Sequence, residues 1–385
     1  MPVDIDPVPR SAATRYPRAM IDSLPPDVAA TLKDFHFDRV PFETMRARIG
    51  GAADLDELHR IREPVTPGAA SSVHEMPESG PALAELAAEG AAAIARGELA
   101  AVILAGGMAT RFGATVKALA PLFDDRPIRF IDAKLADVAH GGQSHVDATF
   151  MTSFATDAAI AHALEGIDAH RARQFASLRL TPKGELFHDS QGHVSMHATG
   201  HGDLPEALAL SGTLARLRSK GVRTVLMSNV DNLGATLDPA VYAMHRRLRA
   251  PITVELVSKI AGDKGGIPVQ LGDRLVLAEA FRLPKAFPQD DFPMFNTNTL
   301  WIDLDALEGD FPWTWCIAKK KVDGLDAIQI ERLVGELTWW KPTQYLRVSR
   351  DGASTRFLPV KDVEELKRSR AAIETVLRER VGMKL

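Results

Sequence analysis

The residues from Ala101 to Lys117 (AVILAGGMATRFGATVK) combine a run of small apolar residues with adjacent glycines and two basic side chains. Gly106 and Gly107 would leave backbone amides open to a ligand, and they permit the positive φ angles that direct successive N–H groups at phosphate oxygens. Arg111 and Lys117 add formal positive charge to the same segment. This stretch therefore predicts a buried strand that opens into an anion-binding loop.

Two common phosphate-binding templates do not fit this loop. A P-loop has four residues between its first glycine and a Gly-Lys-Ser/Thr triplet, whereas here five residues separate Gly107 from Gly113 and Ala114 follows. A dinucleotide fingerprint that began at Gly107 would need a glycine where Ala109 stands. The spacing therefore excludes both of these templates.

Further apolar runs predict a sheet behind this loop. They cover residues 147–153, 222–228, 252–258 and 299–303. Helical patterns lie between them, including one over residues 203–220, and an alanine-rich helix from Pro81 to Gly97 precedes the first strand. Alternating strands and helices indicate an α/β fold with a mixed, mostly parallel sheet flanked by helices. Ligands of such folds bind beyond the carboxyl ends of the strands.

Polar residues follow one of these strands and precede one of the predicted helices. SNVDNLG follows the strand near residue 222, and the Asp231 carboxylate beside the Asn232 amide would suit Mg²⁺, although the same residues could form an Asx turn. His201, in TGHGD, precedes a predicted helix whose N-terminus would attract a phosphate, although a capped turn with a solvated histidine is the alternative.

The later part of the chain carries three further features. Lys264-Gly265-Gly266 and FNTNT at residues 295–299 could read sugar hydroxyls or simply form turns and core. Residues 356–361, RFLPVK, form a strand-like run that ends in Lys361. Helical patterns predict one helix from Asp326 to Leu337 and a charged terminal helix over residues 362–380.

The composition limits the possible partners and the compartment. The chain has 385 residues, 45% of them apolar, and a net charge of −4 without a basic stripe, which disfavours nucleic-acid binding. No apolar run reaches the ~18–20 residues needed to span a bilayer. Cys316 is the only cysteine, so a cytoplasmic protein is expected. We divide the chain into an N-terminal helical extension (1–98), a core (99–310) and a C-terminal segment (311–385).

Taken in order, the motifs resemble the UTP–glucose-1-phosphate uridylyltransferase family over roughly residues 99–370. They are LAGGMATRFG with Lys117, MTSFATD, Gln174, GHGD, SNVDNLGAT, Lys264-Gly265-Gly266, FNTNTLW and RFLPVK. The resemblance implies a Rossmann-like, GT-A-like nucleotidyltransferase fold. It also implies an enzyme that joins UTP and glucose 1-phosphate, with Mg²⁺, to give UDP-glucose and pyrophosphate. The left-handed β-helix domain of eukaryotic relatives is not expected, and the oligomeric state stays open.

Departures from the family pattern leave alternatives for the substrate. Ala109 replaces a glycine, and Arg111 resembles the residue of the related N-acetylhexosamine uridylyltransferases. The alternative activity is therefore that of a UDP-N-acetylhexosamine pyrophosphorylase. A non-catalytic nucleotide-sugar-binding protein is a third possibility, but binding alone would not need Lys117, Asp231 and Lys361 together.

The resemblance also implies a role for each matching position. Phosphates would meet Arg111, Lys117, His201 and Lys361, and Asp231 would hold the Mg²⁺ ion. The nucleotide would contact Ala105, Gly106, Gly107, Met151, Gln174 and Gly200. Sugar hydroxyls would be bound by Asn232, Gly266, Glu279, Asn296 and Asn298.

Overall fold

The computed structural model describes residues 24–109, 115–140, 146–260, 262–263 and 265–385. In this part of the chain the β-strands are β1 (Val65–Pro67), β2 (Val73–Glu75), β3 (Leu99–Leu104), β4 (Met108–Ala109), β5 (Thr115–Val116), β6 (Asp147–Thr152), β7 (His170–Arg173), β8 (Ala176–Leu178), β9 (Met196–Ala198), β10 (Thr224–Asn229), β11 (Ile252–Ser258), β12 (Ile267–Leu271), β13 (Arg274–Ala278), β14 (Met294–Asp303), β15 (Cys316–Val322), β16 (Leu325–Glu331) and β17 (Thr343–Arg347). The α-helices are α1 (Pro26–Asp34), α2 (Arg39–Gly51), α3 (Pro81–Ala95), α4 (Phe130–His140), α5 (Asp157–Ala163), α6 (Leu204–Leu210), α7 (Thr213–Ser219), α8 (Pro239–Leu248), α9 (Leu337–Trp340), α10 (Val363–Arg368) and α11 (Arg370–Glu379).

One large mixed sheet organises the molecule, with the strand order β2-β17-β11-β14-β10-β3-β6-β7. Strands β10, β3, β6 and β7 are mutually parallel, as are β11, β17 and β2. Strand β14 is antiparallel to both β10 and β11, and so joins the two parallel groups. The predicted α/β class with a mixed, mostly parallel sheet is therefore confirmed.

The predicted strands and the alanine-rich helix are confirmed with small shifts of their ends. Strands β6, β10, β11 and β14 correspond to the four apolar runs, and α3 covers most of the segment from Pro81 to Gly97. Strand β3 is buried at every position but its last, which explains its continuous apolar sequence. α3 begins at a proline, whose missing N–H costs nothing in the first helical turn.

The predicted helix from Asp326 to Leu337 is wrong, because this region forms a β-hairpin. Strand β16 pairs with β15 in antiparallel register, with Val322 opposite Leu325. The turn residues Asp323 and Gly324 both have positive φ, at 51° and 79°. Asp-Gly in this position is a strong hairpin signal, and it outweighs the helical spacing of the apolar residues that follow.

The predicted helix over residues 203–220 is divided into α6 and α7. Gly212, between them, has a φ of 73°, in the left-handed region that ends a helix. The interruption turns Leu210 outward, where it is 59% exposed, so it does not share the buried face with Leu214 and Leu217. The terminal helix over 362–380 is likewise divided into α10 and α11 at Ser369.

Segments outside the predicted core also contribute to the main sheet. Strands β2 and β17 extend the sheet beyond β11. The RFLPVK segment is not a sheet strand and makes a single bridge, between Pro359 and Asn232. No helix among the described residues has the length and apolar character to cross a bilayer.

A second, smaller core joins the N-terminal helices to the β15–β16 hairpin. Side chains of α1 and α2 pack there against β8 and both hairpin strands. Two buried histidines accept hydrogen bonds from the hairpin backbone. Ile317 N donates to His59 Nδ1 at 3.0 Å, and Ile330 N donates to His197 Nε2 at 3.5 Å.

Because of these two buried histidines, we expect the protein to lose stability in mild acid. Burial lowers the pKa of His59 to about 4 and that of His197 to about 3. Below the unfolded-state pKa of about 6.5, the unfolded chain takes up protons that the native state excludes. The free energy of unfolding should therefore fall as the pH drops from 7.5 to 5.5, by up to about 1.4 kcal/mol per pH unit and histidine.

Urea unfolding of the wild type and two variants at both pH values measures this effect. His197→Gln should reduce the pH dependence, because its amide does not titrate. His162→Gln, at a site whose side chain is 84% exposed, should leave the dependence unchanged. Identical pH dependence in the wild type and His197→Gln would contradict the interpretation.

Candidate active site

The carboxyl ends of β3, β6 and β10 meet at one edge of the sheet. Ala105 N, just after β3, donates to Met151 O at 2.8 Å, and Val230 N, just after β10, donates to Leu104 O at 3.1 Å. These bonds bring the glycine loop, the MTSFATD segment and the SNVDNLG loop together, as parallel strands require. Ala105 and Met151 are buried. Any contact that they make with a ligand would use backbone atoms or apolar side-chain surface.

The glycine loop folds back on itself and lies against Gln174. Lys117 N donates to Gly107 O at 3.3 Å, which places the lysine beside the exposed second glycine. A Cβ on Gly106 would lie 2.4 Å from Gln174 Oε1, so a larger residue there would force the Gln174 amide to move. Ser153 Oγ donates to Gly106 O at 2.8 Å and fixes the loop. Arg111 lies outside the described residues.

His201 follows a glycine with positive φ and offers an N–H group rather than a charge. Gly200 has a φ of 95°, and a Cβ there would lie 2.5 Å from Arg332 O. His201 Nδ1 accepts a hydrogen bond from Val334 N at 3.0 Å, which leaves the ring proton on Nε2. Burial lowers the pKa of His201 to about 4, so the imidazole is neutral at physiological pH.

An ion pair that the sequence analysis missed holds the His201 loop. Asp203 is fully buried and accepts from Arg332 Nε at 2.9 Å and from Phe175 N at 2.8 Å. Although Asp203 stands at the start of α6, its side chain makes no capping hydrogen bond. It anchors the loop to the residue after Gln174 instead. The glycines on both sides of His201 indicate a role for the histidine, whereas no sequence pattern indicates the pairing of Asp203 with Arg332.

Asp231 lies between Lys117 and the segment that carries Lys361. Its carboxylate forms an ion pair with Lys117 Nζ, and both side chains are only partly exposed. Val360 N donates to Asp231 O at 3.0 Å, so the next residue, Lys361, begins directly beside Asp231. The Lys361 side chain is exposed and has no ion-pair partner in the described part of the chain. The Lys117 side chain thus pairs with the Asp231 carboxylate, and the backbone next to Lys361 is hydrogen-bonded to the Asp231 main chain.

Asp231 suits a Mg²⁺ ion that is shared with substrate phosphates. No group of three or more histidine, cysteine or acidic side chains that could hold a metal occurs among the described residues. Asp231 Oδ2 accepts from Lys117, and Oδ1 has no hydrogen-bond partner there. Mg²⁺ commonly takes one or two protein carboxylates and fills its other positions with phosphate oxygens and water. A single partly exposed carboxylate beside the glycine loop fits that pattern.

Four of the predicted sugar-binding residues form a polar wall near β12–β14. Glu279 Oε1 lies 2.7 Å from where a Cβ on Gly266 would stand, and Asn296 N donates to Gly266 O at 2.8 Å. Asn296 Oδ1 accepts from Asn298 N at 2.9 Å, and Asn298 Nδ2 donates to Asn229 Oδ1 at 3.0 Å. Burial raises the pKa of Glu279 to about 7, so this wall contains a carboxyl group that can donate or accept.

The fifth predicted sugar residue, Asn232, is committed to internal contacts. Its Oδ1 accepts from Gly234 N and Leu358 N, at 3.2 and 2.8 Å. Its Nδ2 donates to Arg356 O at 3.2 Å and to Thr299 Oγ1 at 3.4 Å. Because these four bonds use the whole amide and the residue is 1% exposed, the side chain here ties the loop to the RFLPVK segment and does not reach a sugar.

Solved structures establish the class of fold. A UDP-glucose pyrophosphorylase variant from Leishmania major is 24% identical, covers 89% of this chain and 79% of its own, and superposes with a TM-score of 0.65. A putative UDP-N-acetylglucosamine pyrophosphorylase from Entamoeba histolytica is 19% identical, covers 78% of this chain and 84% of its own, and has the same TM-score of 0.65. The chain thus has the fold of nucleotide-sugar pyrophosphorylases.

The family follows from the sequence. The model of the UTP–glucose-1-phosphate uridylyltransferase family matches residues 70–379, and the chain belongs to this family. The uridylyltransferase of Encephalitozoon cuniculi is 31% identical over 189 residues, which are 46% of this chain and 38% of that protein. A probable uridylyltransferase of Schizosaccharomyces pombe is 26% identical over 297 residues, 70% of this chain and 58% of that protein. The chain thus spans less than two thirds of the length of these relatives.

Proposed function

We propose that this protein transfers the uridylyl group of UTP to glucose 1-phosphate, giving UDP-glucose and pyrophosphate. The observation that carries the proposal is the Lys117–Asp231 ion pair beside the glycine loop, with the backbone next to Lys361 hydrogen-bonded to the Asp231 main chain. A protein that only bound a nucleotide sugar would not need Lys117, Asp231 and Lys361 together. Family membership supports the same reaction.

The reaction needs charge neutralisation rather than a protein nucleophile. A phosphate oxygen of the sugar 1-phosphate attacks the α-phosphorus of UTP, and the bond to pyrophosphate breaks in line. Amides at Gly106 and Gly107 and the Lys117 ammonium would neutralise the UTP phosphates, and the His201 Nε2–H would donate to a phosphate oxygen. Mg²⁺, held by Asp231, would supply Lewis-acid neutralisation of phosphate charge.

Two subsites would orient the reactants on either side of this centre. Gln174, 9% exposed and packed against Gly106, would read the uracil edge with an amide that both donates and accepts. Glu279 and Asn296 would contact hydroxyls of the sugar.

Since the buried thiol of Cys316 has a raised pKa and no second cysteine exists, a reducing compartment suits the protein, and we propose the cytoplasm.

A pyrophosphate-release assay with UTP, Mg²⁺ and a panel of sugar 1-phosphates tests the proposal. We expect glucose 1-phosphate to give the highest kcat/KM. Faster turnover of N-acetylglucosamine 1-phosphate would instead support the alternative suggested by Arg111. No release with any sugar 1-phosphate would contradict uridylyl transfer.

Gln174→Ala should raise the KM for UTP more than that for the sugar 1-phosphate. A buried partner left unpaired costs about 1–3 kcal/mol, which corresponds to about 5- to 150-fold in binding. Steady-state kinetics with each substrate varied in turn measures the two constants, and Gln191→Ala, at an exposed turn, is the control. Equal changes in both KM values would show that Gln174 is structural.

A further inference from the structure

α4 presents two buried, oppositely charged side chains to the loop that contains Asp231. Lys134 and Asp137 are 4% and 5% exposed, and a spacing of three residues places them on one face of the helix. The loop runs from the end of β10 to the start of α8. Neither residue belongs to any of the motifs that indicated the function.

The two side chains bind the loop backbone at three points. Lys134 Nζ donates to Asn232 O at 2.8 Å and to Ala235 O at 2.9 Å. Both carboxylate oxygens of Asp137 accept from Leu237 N, at 3.1 and 3.0 Å. The helix therefore holds the residues that follow Asp231 through hydrogen bonds to main-chain groups, which a change of side chain within the loop would not remove.

Burying Lys134 and Asp137 costs free energy unless hydrogen bonds compensate for the lost hydration. Burial lowers the pKa of Lys134 to about 8 and raises that of Asp137 to about 6, and the attraction between the two charges opposes both shifts. An apolar pair of similar volume often stabilises a core as well as a buried ion pair does. Other buried positions of α4, including Phe130 and Ile131, are apolar. The polar pair is explained by the carbonyl and amide groups that it satisfies.

The loop is held from its other side by the segment that carries Lys361. Leu233 N donates to Leu358 O at 3.1 Å, and Val360 N donates to Asp231 O at 3.0 Å. Residues 231–237 thus lie between α4 and the RFLPVK segment. A displacement of the loop would move Asp231 and the backbone that delivers Lys361 at the same time.

We propose that Lys134 and Asp137 are positioning residues, which hold residues 232–237 so that Asp231 and Lys361 stay in register with Lys117. This inference rests on the proposed function. Neither residue contacts a substrate in this account, because both lie beneath the loop. Their removal should therefore affect turnover more than the binding of either substrate.

Lys134→Met tests the proposal, since methionine keeps much of the side-chain volume and removes the donor. Amide hydrogen exchange should show faster exchange within residues 231–237 while the strands of the main sheet stay protected. We expect kcat to fall at least about tenfold, with both KM values within about twofold. Asp132→Asn is the control and should change neither measurement, because Asp132 lies on the same helix but forms a partly exposed ion pair with Arg129, the residue before the helix.

Two further variants keep the test decisive. Lys134→Arg retains donors for both carbonyls and should recover more kcat than Lys134→Met does. Lys134→Gln keeps an uncharged donor and serves if the methionine variant fails to fold. Unchanged exchange in residues 231–237, unchanged kcat, or loss of protection spread across the sheet with raised KM values would each overturn the proposal. If the wild type releases no pyrophosphate, the proposed function fails. The hydrogen-exchange comparison then still tests whether Lys134 and Asp137 hold residues 232–237.

Discussion

Asp231→Asn should lower kcat by on the order of 10²-fold or more while the protein stays folded. Asparagine keeps the shape of the side chain and removes its charge. The charge is needed because Asp231 is the accessible carboxylate at the point where Lys117 and the Lys361 segment meet. The substitution also releases Lys117 from its ion pair, so UTP binding should be retained or strengthened.

Measurements of kcat, of nucleotide binding and of Mg²⁺ dependence distinguish these effects. The Mg²⁺ concentration for half-maximal rate should rise, because the variant offers a neutral ligand. Asp290→Asn, whose side chain is fully exposed, is a matched control and should behave like the wild type. Near-normal turnover of Asp231→Asn would remove Asp231 from the metal site.

Lys361→Ala should depress kcat strongly with little change in UTP binding. The lysine has no ion-pair partner among the described residues, and its backbone is fixed beside Asp231 through Val360 N. In the proposed reaction the Lys361 ammonium would act mainly on the negative charge of the transition state. Lys361→Arg should rescue only part of the rate, because the guanidinium group is broader and planar.

Lys367→Ala provides the control for this prediction. Lys367 lies on the adjacent helix α10 and has a side chain that is 61% exposed. Its removal should leave both kcat and the affinity for UTP unchanged. Wild-type kcat for Lys361→Ala at saturating UTP and sugar 1-phosphate would show that Lys361 is an ordinary surface lysine.

Much of the sheet could be predicted because its strands are buried on both faces. Strand β3 contains only apolar residues, a pattern with few interpretations besides a central parallel strand, and the apolar residues of β6, β10 and β11 lie in strands that are buried at nearly every position. The edge where the strands end followed from the same reasoning. The β15–β16 hairpin was not predicted, because the apolar residues of β16 also have helical spacing. The signal for the hairpin is the Asp323-Gly324 turn.

The supporting residues of the site could not be predicted, because their roles depend on contacts distant in sequence. Lys134 has the spacing of an ordinary helix lysine, and only its burial under Asn232 and Ala235 shows what it binds. Arg356 opens the RFLPVK motif, yet it is 1% exposed and pairs with the fully buried Glu255. Such charges are paired inside the protein, which a one-dimensional pattern does not reveal.

Transfer of label from UTP carrying radioactive phosphorus at the α-position is the most direct test of the central claim. The purified protein, incubated with glucose 1-phosphate and Mg²⁺, should move the label into UDP-glucose with an equal amount of unlabelled pyrophosphate. Asp231→Asn and Lys361→Ala should both transfer it far more slowly. Label that stays in UTP, or transfer by the two variants at the wild-type rate, would contradict the account.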